Sequence, residues 1–245
     1  MHRGLLALFL YCAAMTTNAN NIDIDTFWEY GDPAGSEARF REALGTAKGD
    51  HRLELMTQVA RTYSLRKDFD TAHGVLDEVE KQLAEAGPRP RARYLLERGR
   101  TINSAGDKDK ARSHFLRAWE LAREAEEEGL AVDAAHMVAI TYGGTGDGVE
   151  WNQRALAMAR VTKAPKARAL IPAMYNNMAW DLHDLKRHEE ALVAFQKALD
   201  EWTATGKANQ IQVAKWSVAQ GLRALNRVDE AAKIEQALEA EGYKP

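Results

Sequence analysis

The sequence predicts an all-α fold of repeated helical hairpins, and three observations carry that prediction. A small residue recurs at Ala60, Gly99, Ala139, Ala179 and Ala219, at steps of 39, 40, 40 and 40. Twelve positions after each stands Ala72, Ala111, Trp151, Ala191 or Ala231, so the step inside the unit is constant and all slack lies between units. Between the two markers lie turn-forming pairs: Lys67-Asp68, Gly106-Asp107, Gly146-Asp147, Lys186-Arg187 and Asn226-Arg227. Self-similarity at a period of about 20–50 residues marks a solenoid, in which each unit buries its apolar face on its neighbours.

The elements follow in order. Asp32-Pro33 offers a helix start with proline at the first position, and residues 34–47 form one amphipathic helix through Phe40, Ala43 and Leu44. This helix has no first-helix partner, so residues 20–48 are expected to form an N-terminal cap. In the first unit Met56, Val59, Ala60 and Tyr63 make an i, i+3, i+4, i+7 stripe before the turn, and Ala72, Leu76 and Val79 make another after it. The pattern returns as Leu95, Gly99 and Ile102 with Ala111, Phe115 and Ala118, then as Tyr175, Met178, Ala179 and Leu182 with Ala191, Phe195 and Ala198. The small residue lets two helices approach closely while the larger ones fill the space beside it. Gly and Asn at the turns suit the left-handed conformation that ends a helix, and Asp caps the next one. The third unit departs most, with Trp151 in the alanine position and a Gly-Gly-Thr-Gly-Asp-Gly run over 143–148. In the last unit Glu235 stands where Phe115 and Phe195 stand, followed by Gln236 and Glu239. That polar outer face is expected to close the C-terminal end.

Residues 172–205 resemble the tetratricopeptide repeat, through Ala179 at the eighth position, Ala191 at the twentieth, Phe195 at the twenty-fourth and Ala198 at the twenty-seventh. The resemblance covers five units, 53–86, 92–125, 132–165, 172–205 and 212–245, and implies a right-handed α-solenoid of helix-turn-helix repeats. The usual period is about 34; here it is 39 or 40. Because the internal step is unchanged, the added residues are expected to lengthen each second helix by roughly one and a half turns, about 9 Å. The stops are expected at Ala86-Gly87-Pro88, Glu128-Gly129 and Thr205-Gly206. Stretches 94–100, 131–137 and 176–180 are similar to bacterial tetratricopeptide proteins without a known activity, so the resemblance supplies none.

The formal charge of -3, with 28% charged residues of both signs, leaves no block of like charge that would mark nucleic-acid binding. The start is different in kind: His2 and Arg3 are followed by an apolar run over 5–14 and small or polar residues over 15–20. This reads as a secretory signal peptide, residues 1–19, cleaved after Ala19 or alternatively after Ala14. The run is about half the ~20 residues that span a bilayer, so no stable membrane insertion is expected after cleavage. The expected location is periplasmic or secreted. The single cysteine, Cys12, lies in this segment behind the bulky Tyr11, which argues against a lipid anchor. The remaining chain then forms no disulfide.

In the family resembled, first helices line the concave surface through unit positions 2, 5, 9 and 12, spacings that share one helical face. Here those positions are Glu54, Thr57, Arg61, Ser64; Arg93, Leu96, Arg100, Asn103; Asp133, His136, Ile140, Gly143; Ala173, Asn176, Trp180, His183; and Val213, Trp216, Gln220, Arg223. Four arginines against two acids predict a positive face, and arginine with tryptophan is the composition of binding hot spots. The candidate peptide-binding residues are Arg61, Arg100, Asn103, Asp133, His136, Asn176, Trp180, His183, Trp216, Gln220 and Arg223. Arg61 and Arg100 would pair carboxylates, Asn176 would bond backbone, and Trp180 and Trp216 would anchor apolar side chains. The competing arrangement packs the tryptophans between units and pairs the arginines with neighbours such as Glu97. The Lys and Asn set of the family's carboxylate-clamp co-chaperones is not reproduced.

Signals for catalysis are poor. His183 and His188 are five apart, off the i, i+4 spacing of a helical ligand pair, and read as a surface pair. The 143–148 run lacks the Lys-Ser/Thr ending and preceding strand of a phosphate loop, and reads as a helical corner. Glu126, Glu127 and Glu128 read as a frayed, solvated helix end. No Ser-His-Asp arrangement or mature cysteine nucleophile stands out. The expected function is a non-enzymatic interaction scaffold of the bacterial envelope, a monomer binding an extended or C-terminal peptide of a partner protein in the concave groove. No cofactor, metal or nucleic acid is expected. The alternative is a structural subunit that joins a larger complex through its convex faces or ends, without a groove ligand.

Overall fold

The computed structural model describes residues 23–244, and the signal-peptide expectation lies outside them. After a 3-10 turn at Ile24–Phe27 come α1 (Pro33–Leu44), α2 (Gly49–Leu65), α3 (Phe69–Glu80), α4 (Pro88–Ser104), α5 (Lys108–Glu124), α6 (Glu128–Thr141) and α7 (Gly146–Val161). Then follow α8 (Pro165–Arg168), α9 (Ile171–Asp184), α10 (His188–Thr205), α11 (Ala208–Ala224) and α12 (Val228–Ala240). Five hairpins, α2/α3, α4/α5, α6/α7, α9/α10 and α11/α12, stack so that each first helix packs on its own second helix and on that of the preceding unit. Among the described residues the first unit is preceded by the 3-10 turn and α1, and α1 packs on α2 with Phe40 fully buried against Leu55 and Val59. At the start of α1, Asp32 Oδ1 accepts from Gly35 N–H at 2.9 Å and Pro33 opens the helix. Among the described residues no helix is long and apolar enough to cross a membrane.

The corners share one device. Lys67, Gly106, Lys186 and Asn226 all have positive φ, 64°, 103°, 63° and 58°. The residue after each donates its N–H five positions back: Asp68 to Tyr63, Asp107 to Ile102, Arg187 to Leu182 and Arg227 to Leu222, at 2.9–3.2 Å. This is the bond pattern of a left-handed helix C-terminus, and it absorbs the carbonyls that the ended helix leaves open. Glycine and asparagine were legible there; the two lysines adopt the same conformation because the bond pattern demands it. Asp68 and Asp107 then cap the second helices, accepting from Thr71 N–H at 3.2 Å and Lys110 N–H at 3.0 Å.

The added length is divided differently from the expectation. α3 ends at Glu80, well before Ala86, and α5 ends at Glu124, whereas α10 runs to Thr205 and stops at Gly206 with φ 69°. The first helices take part of the excess: α2, α4, α6 and α11 each begin four residues ahead of the expected unit start, at Gly49, Pro88, Glu128 and Ala208. A second corner-type bond causes the early stop after α5, where Glu126 has φ 58° and Glu127 donates to Ala122 at 2.8 Å. The three glutamates thus do not fray a helix end. Glu127 flanks and Glu128 opens α6, where the helix dipole favours negative charge, and Glu128 accepts from Thr162 Oγ1 at 2.6 Å.

The third unit is rotated as well as irregular. Trp151 does not fill the alanine position but turns to meet Trp119 edge-on at 5.0 Å, and Asn152 is fully buried instead. Helix α7 begins at Gly146, two residues ahead of the corresponding point in α5, and Thr145 rather than Asp147 caps it, accepting from Gly148 N–H at 3.2 Å.

Candidate groove on the first helices

The stripe splits into a charged half and an aromatic half. In the charged half, α2 and α4 pack side by side and bring Glu97 beneath Arg61 and Arg100. Glu97 is 1% exposed, and its Oε1 accepts from Gln58 Nε2 at 3.3 Å, Arg61 Nη1 at 3.3 Å and Arg100 Nη1 at 2.7 Å. Arg100 continues through Nη2 to Asp133 Oδ1 of α6 at 2.5 Å. Burial works against the Arg100 charge, but Asp133 and Glu97 outweigh it and its pKa is raised. Burial likewise opposes Asp133, and Arg100 holds its pKa below the ordinary value. A second set joins Glu54 Oε2 to Arg93 Nε at 2.9 Å and Arg89 Nε at 3.1 Å, with Arg89 reaching Glu127 at 2.5 Å. Each set balances two cations with two anions. The predicted positive face is therefore neutralised from within, and Arg61 and Arg100 already hold carboxylates of this chain. Glu97 Oε2, Arg61 Nε and Asn103 Oδ1 are buried without a partner among the described residues.

Beside this network lies His136, 7% exposed, whose Nε2 is 3.0 Å from Asn177 Nδ2. In the neutral ring Nε2 accepts from that amide. Burial lowers the pKa of His136 to about 4, with Arg100 assisting and Asp133 opposing. An unfolded histidine takes its proton near pH 6.5, whereas the folded ring resists it down to about 4. Stability that is present above pH 6.5 is thus lost as pH falls towards 4, by about 3 kcal/mol. Urea titrations across that range should show the loss, and His136→Gln should flatten it; a slope unchanged by the substitution would exclude this origin.

The glycine run of the third corner closes around Asp181 of α9. Gly144 N–H, at a residue with φ 81°, donates to Asp181 Oδ1 at 2.7 Å, and Asn152 Nδ2 donates to Oδ2 at 3.1 Å. Burial raises the Asp181 pKa against these two bonds. A Cβ on Gly148 would stand 2.8 Å from both Asp181 Oδ2 and Tyr142 O, so the glycine is required by a close approach. Asp181 takes the Gly144 N–H, and the run forms the corner between α6 and α7.

In the aromatic half, Trp180 and Trp216 lie 5.8 Å apart across the joint of the fourth and fifth units, with Phe195 edge-on beneath Trp180 at 5.0 Å. Both indoles are half-buried, as are Asn176 and Gln220. His183 meets Trp180 at 5.4 Å and His188 at 5.2 Å, and the Nδ1 atoms of both histidines are buried without a partner. The two rings pack on each other at a half-exposed surface. Among the described residues no three His, Asp or Glu side chains are placed to hold a metal ion. Arg223 forks onto Glu235, with Nε to Oε1 at 2.7 Å. Trp216 also lines a cavity of about 430 Å³ on the last unit, together with Glu235, Leu238, Glu239, Gly242, Tyr243 and Lys244.

Sequence reasoning missed the segment before α1. Trp28 Nε1 donates to Gln58 Oε1 at 2.9 Å, its ring stacks on Tyr30 at 4.9 Å, and the Arg61 guanidinium lies 5.4 and 5.5 Å from the two rings. Asp25 reaches Lys166 of α8 at 2.5 Å. The only signal was the crowding of Phe27, Trp28 and Tyr30 in a stretch without helical period.

No protein-family model matches the sequence, and no curated protein matches it. Solved structures do match. A signal-transduction ATPase with a tetratricopeptide repeat sensor from Pyrococcus horikoshii superposes with a TM-score of 0.71 at 17% identity, over 87% of this chain and 34% of that one. The chain thus spans about a third of that protein. A Rap protein complexed with Competence and Sporulation Factor gives 0.64 at 18%, over 89% and 61%, and NprR in complex with its cognate peptide NprX gives 0.52 at 14%, over 88% and 76%. Two-helix units in one register, left-handed corners and these superpositions establish the same thing: the fold of this chain is the all-α solenoid of tetratricopeptide-type repeats.

Proposed function

We propose that the protein is a non-enzymatic interaction scaffold that takes an extended peptide along the aromatic half of its first-helix groove. The observation that carries this reading is the Trp180–Trp216 pair, half-buried and backed by Phe195, beside the half-buried amides of Asn176 and Gln220. Large rigid rings beside amide groups suit a peptide backbone and an apolar side chain. Structures of similar fold bound to a factor or a cognate peptide support it. Export through residues 1–19 to the bacterial envelope is part of the same proposal. The end cavity favours a second reading, in which a partner docks on the last unit.

One experiment separates the two. A partner is captured from envelope extract, and its binding is titrated against variants. Trp180→Ala is expected to weaken it tenfold or more at a temperature well below the variant's melting midpoint, where its helical signal matches the unaltered chain. Unchanged affinity in Trp180→Ala, with loss in Glu239→Arg at the end cavity, would replace the groove by the end as the docking surface.

A further inference from the structure

The segment 24–30 is held unequally on its two sides. On the cap side, Ile24 is 5% exposed, Phe27 and Trp28 meet the Phe40 ring at 5.6 and 5.1 Å, and Arg39 Nε donates to Phe27 O at 2.9 Å. On the groove side, it offers one indole hydrogen bond to Gln58, two rings near Arg61, and the Asp25–Lys166 pair. That pair is solvent-screened, with side chains 25% and 52% exposed, and such pairs contribute little. Tyr30 is 56% exposed at the outer edge. Beside the rings lie the unpartnered Arg61 Nε and, on the carboxylate that Arg61 holds, Glu97 Oε2, which the segment leaves unsatisfied.

We propose that residues 24–30 are a strap that covers the charged half of the groove in the free chain, and that the peptide admitted there carries the strap's own chemistry. That chemistry is two aromatic residues separated by one position, with a carboxylate three residues before the first ring. Such a peptide replaces the strap contact for contact: a ring donor for Gln58 Oε1, stacking for Arg61, and a carboxylate for Lys166. Its backbone adds the polar groups that the floor lacks. Ile24 and Phe27 stay on α1 while Asp25, Trp28 and Tyr30 exchange, Trp28 giving up its contact with Phe40 as it leaves Gln58. This inference rests on the groove reading above and extends it to the half that the strap hides.

The probe is a labelled peptide of residues 22–31, titrated into the full chain. The variant Asp25→Ala/Trp28→Ala/Tyr30→Ala is expected to bind it at least tenfold more tightly than the unaltered chain, and adding Arg61→Ala and Lys166→Ala is expected to remove the gain. A second measurement does not depend on the triple variant folding. In Asp25→Cys/Lys166→Cys with Cys12→Ser, a short thiol crosslinker should close the strap and abolish peptide binding. Equal binding to the unaltered and triple-variant chains, or binding that persists after crosslinking, overturns the proposal. If partner capture still depends on Trp180 in that case, the strap inference falls alone; if it does not, the groove reading falls too.

Discussion

Glu97→Ala should lower the unfolding free energy by about 3–5 kcal/mol, the cost of stranding buried charges. Glu97 is the one acceptor shared by Gln58, Arg61 and Arg100, and it is 1% exposed. Arg100 keeps Asp133, so the loss concentrates on Arg61, whose Nε already lacks a partner, and on Gln58. Because Gln58 also accepts from Trp28, the damage should spread to the strap and to α1. Urea midpoints report the first, and hydrogen exchange of the amides of 24–30 and α1 reports the second. Glu97→Gln retains the shape and one acceptor without the charge, so it should recover only part. If Glu97→Ala unfolds within about 1 kcal/mol of the unaltered chain, the network does not hold α2 to α4.

Phe115→Ala should cost a similar amount, about 3–5 kcal/mol, because it empties a fully enclosed ring site. Its neighbour gives the stricter test. A Cβ on Gly99 would stand 2.5, 2.8 and 3.0 Å from three atoms of the Phe115 ring, closer than van der Waals contact allows. Gly99→Ala is therefore expected to destabilise by about 1–3 kcal/mol through overpacking, despite the better helix propensity of alanine. Trimming the ring should relieve it: Gly99→Ala/Phe115→Leu should cost less than the sum of its parts, by a coupling of about 0.5–3 kcal/mol. Strict additivity in calorimetry would mean that the ring retreats freely. The fourth unit shows the alternative solution, where Ala179 replaces the glycine and a Cβ on Gly221 of the next unit would come 3.1 Å from Phe195.

The hairpins were legible because burial at a helical period leaves a phase in the sequence, and Ala60, Ala72 and their counterparts are all but sealed from solvent except at Trp151. The joints were not, because phase fixes which face is buried and says little about where a helix begins. Pro88 starts α4, and the left-handed Glu126 ends the turn after α5; neither event alters the period. At the groove, the stripe identified Arg61 and Arg100, yet their charge is decided by Glu97, which sits one position off the stripe. Asp181 was invisible for a similar reason. Its role depends on Gly144, a residue 37 positions away brought against it by the rotation of α7. The strap carries no period at all, so only contact could reveal it.

An array of stacked hairpins is one-dimensional: contacts reach no farther than the adjoining unit, and either end can loosen without the other sensing it. The Asp25–Lys166 contact breaks that rule by joining the segment before α1 to α8, more than three periods away. It turns an open ladder into a partly closed loop, one closure long. The closing contact is a single screened ion pair, too weak to stiffen the solenoid, so a bend at the joint between the third and fourth units opens the loop there first and leaves the strap held by Trp28 and its root on α1.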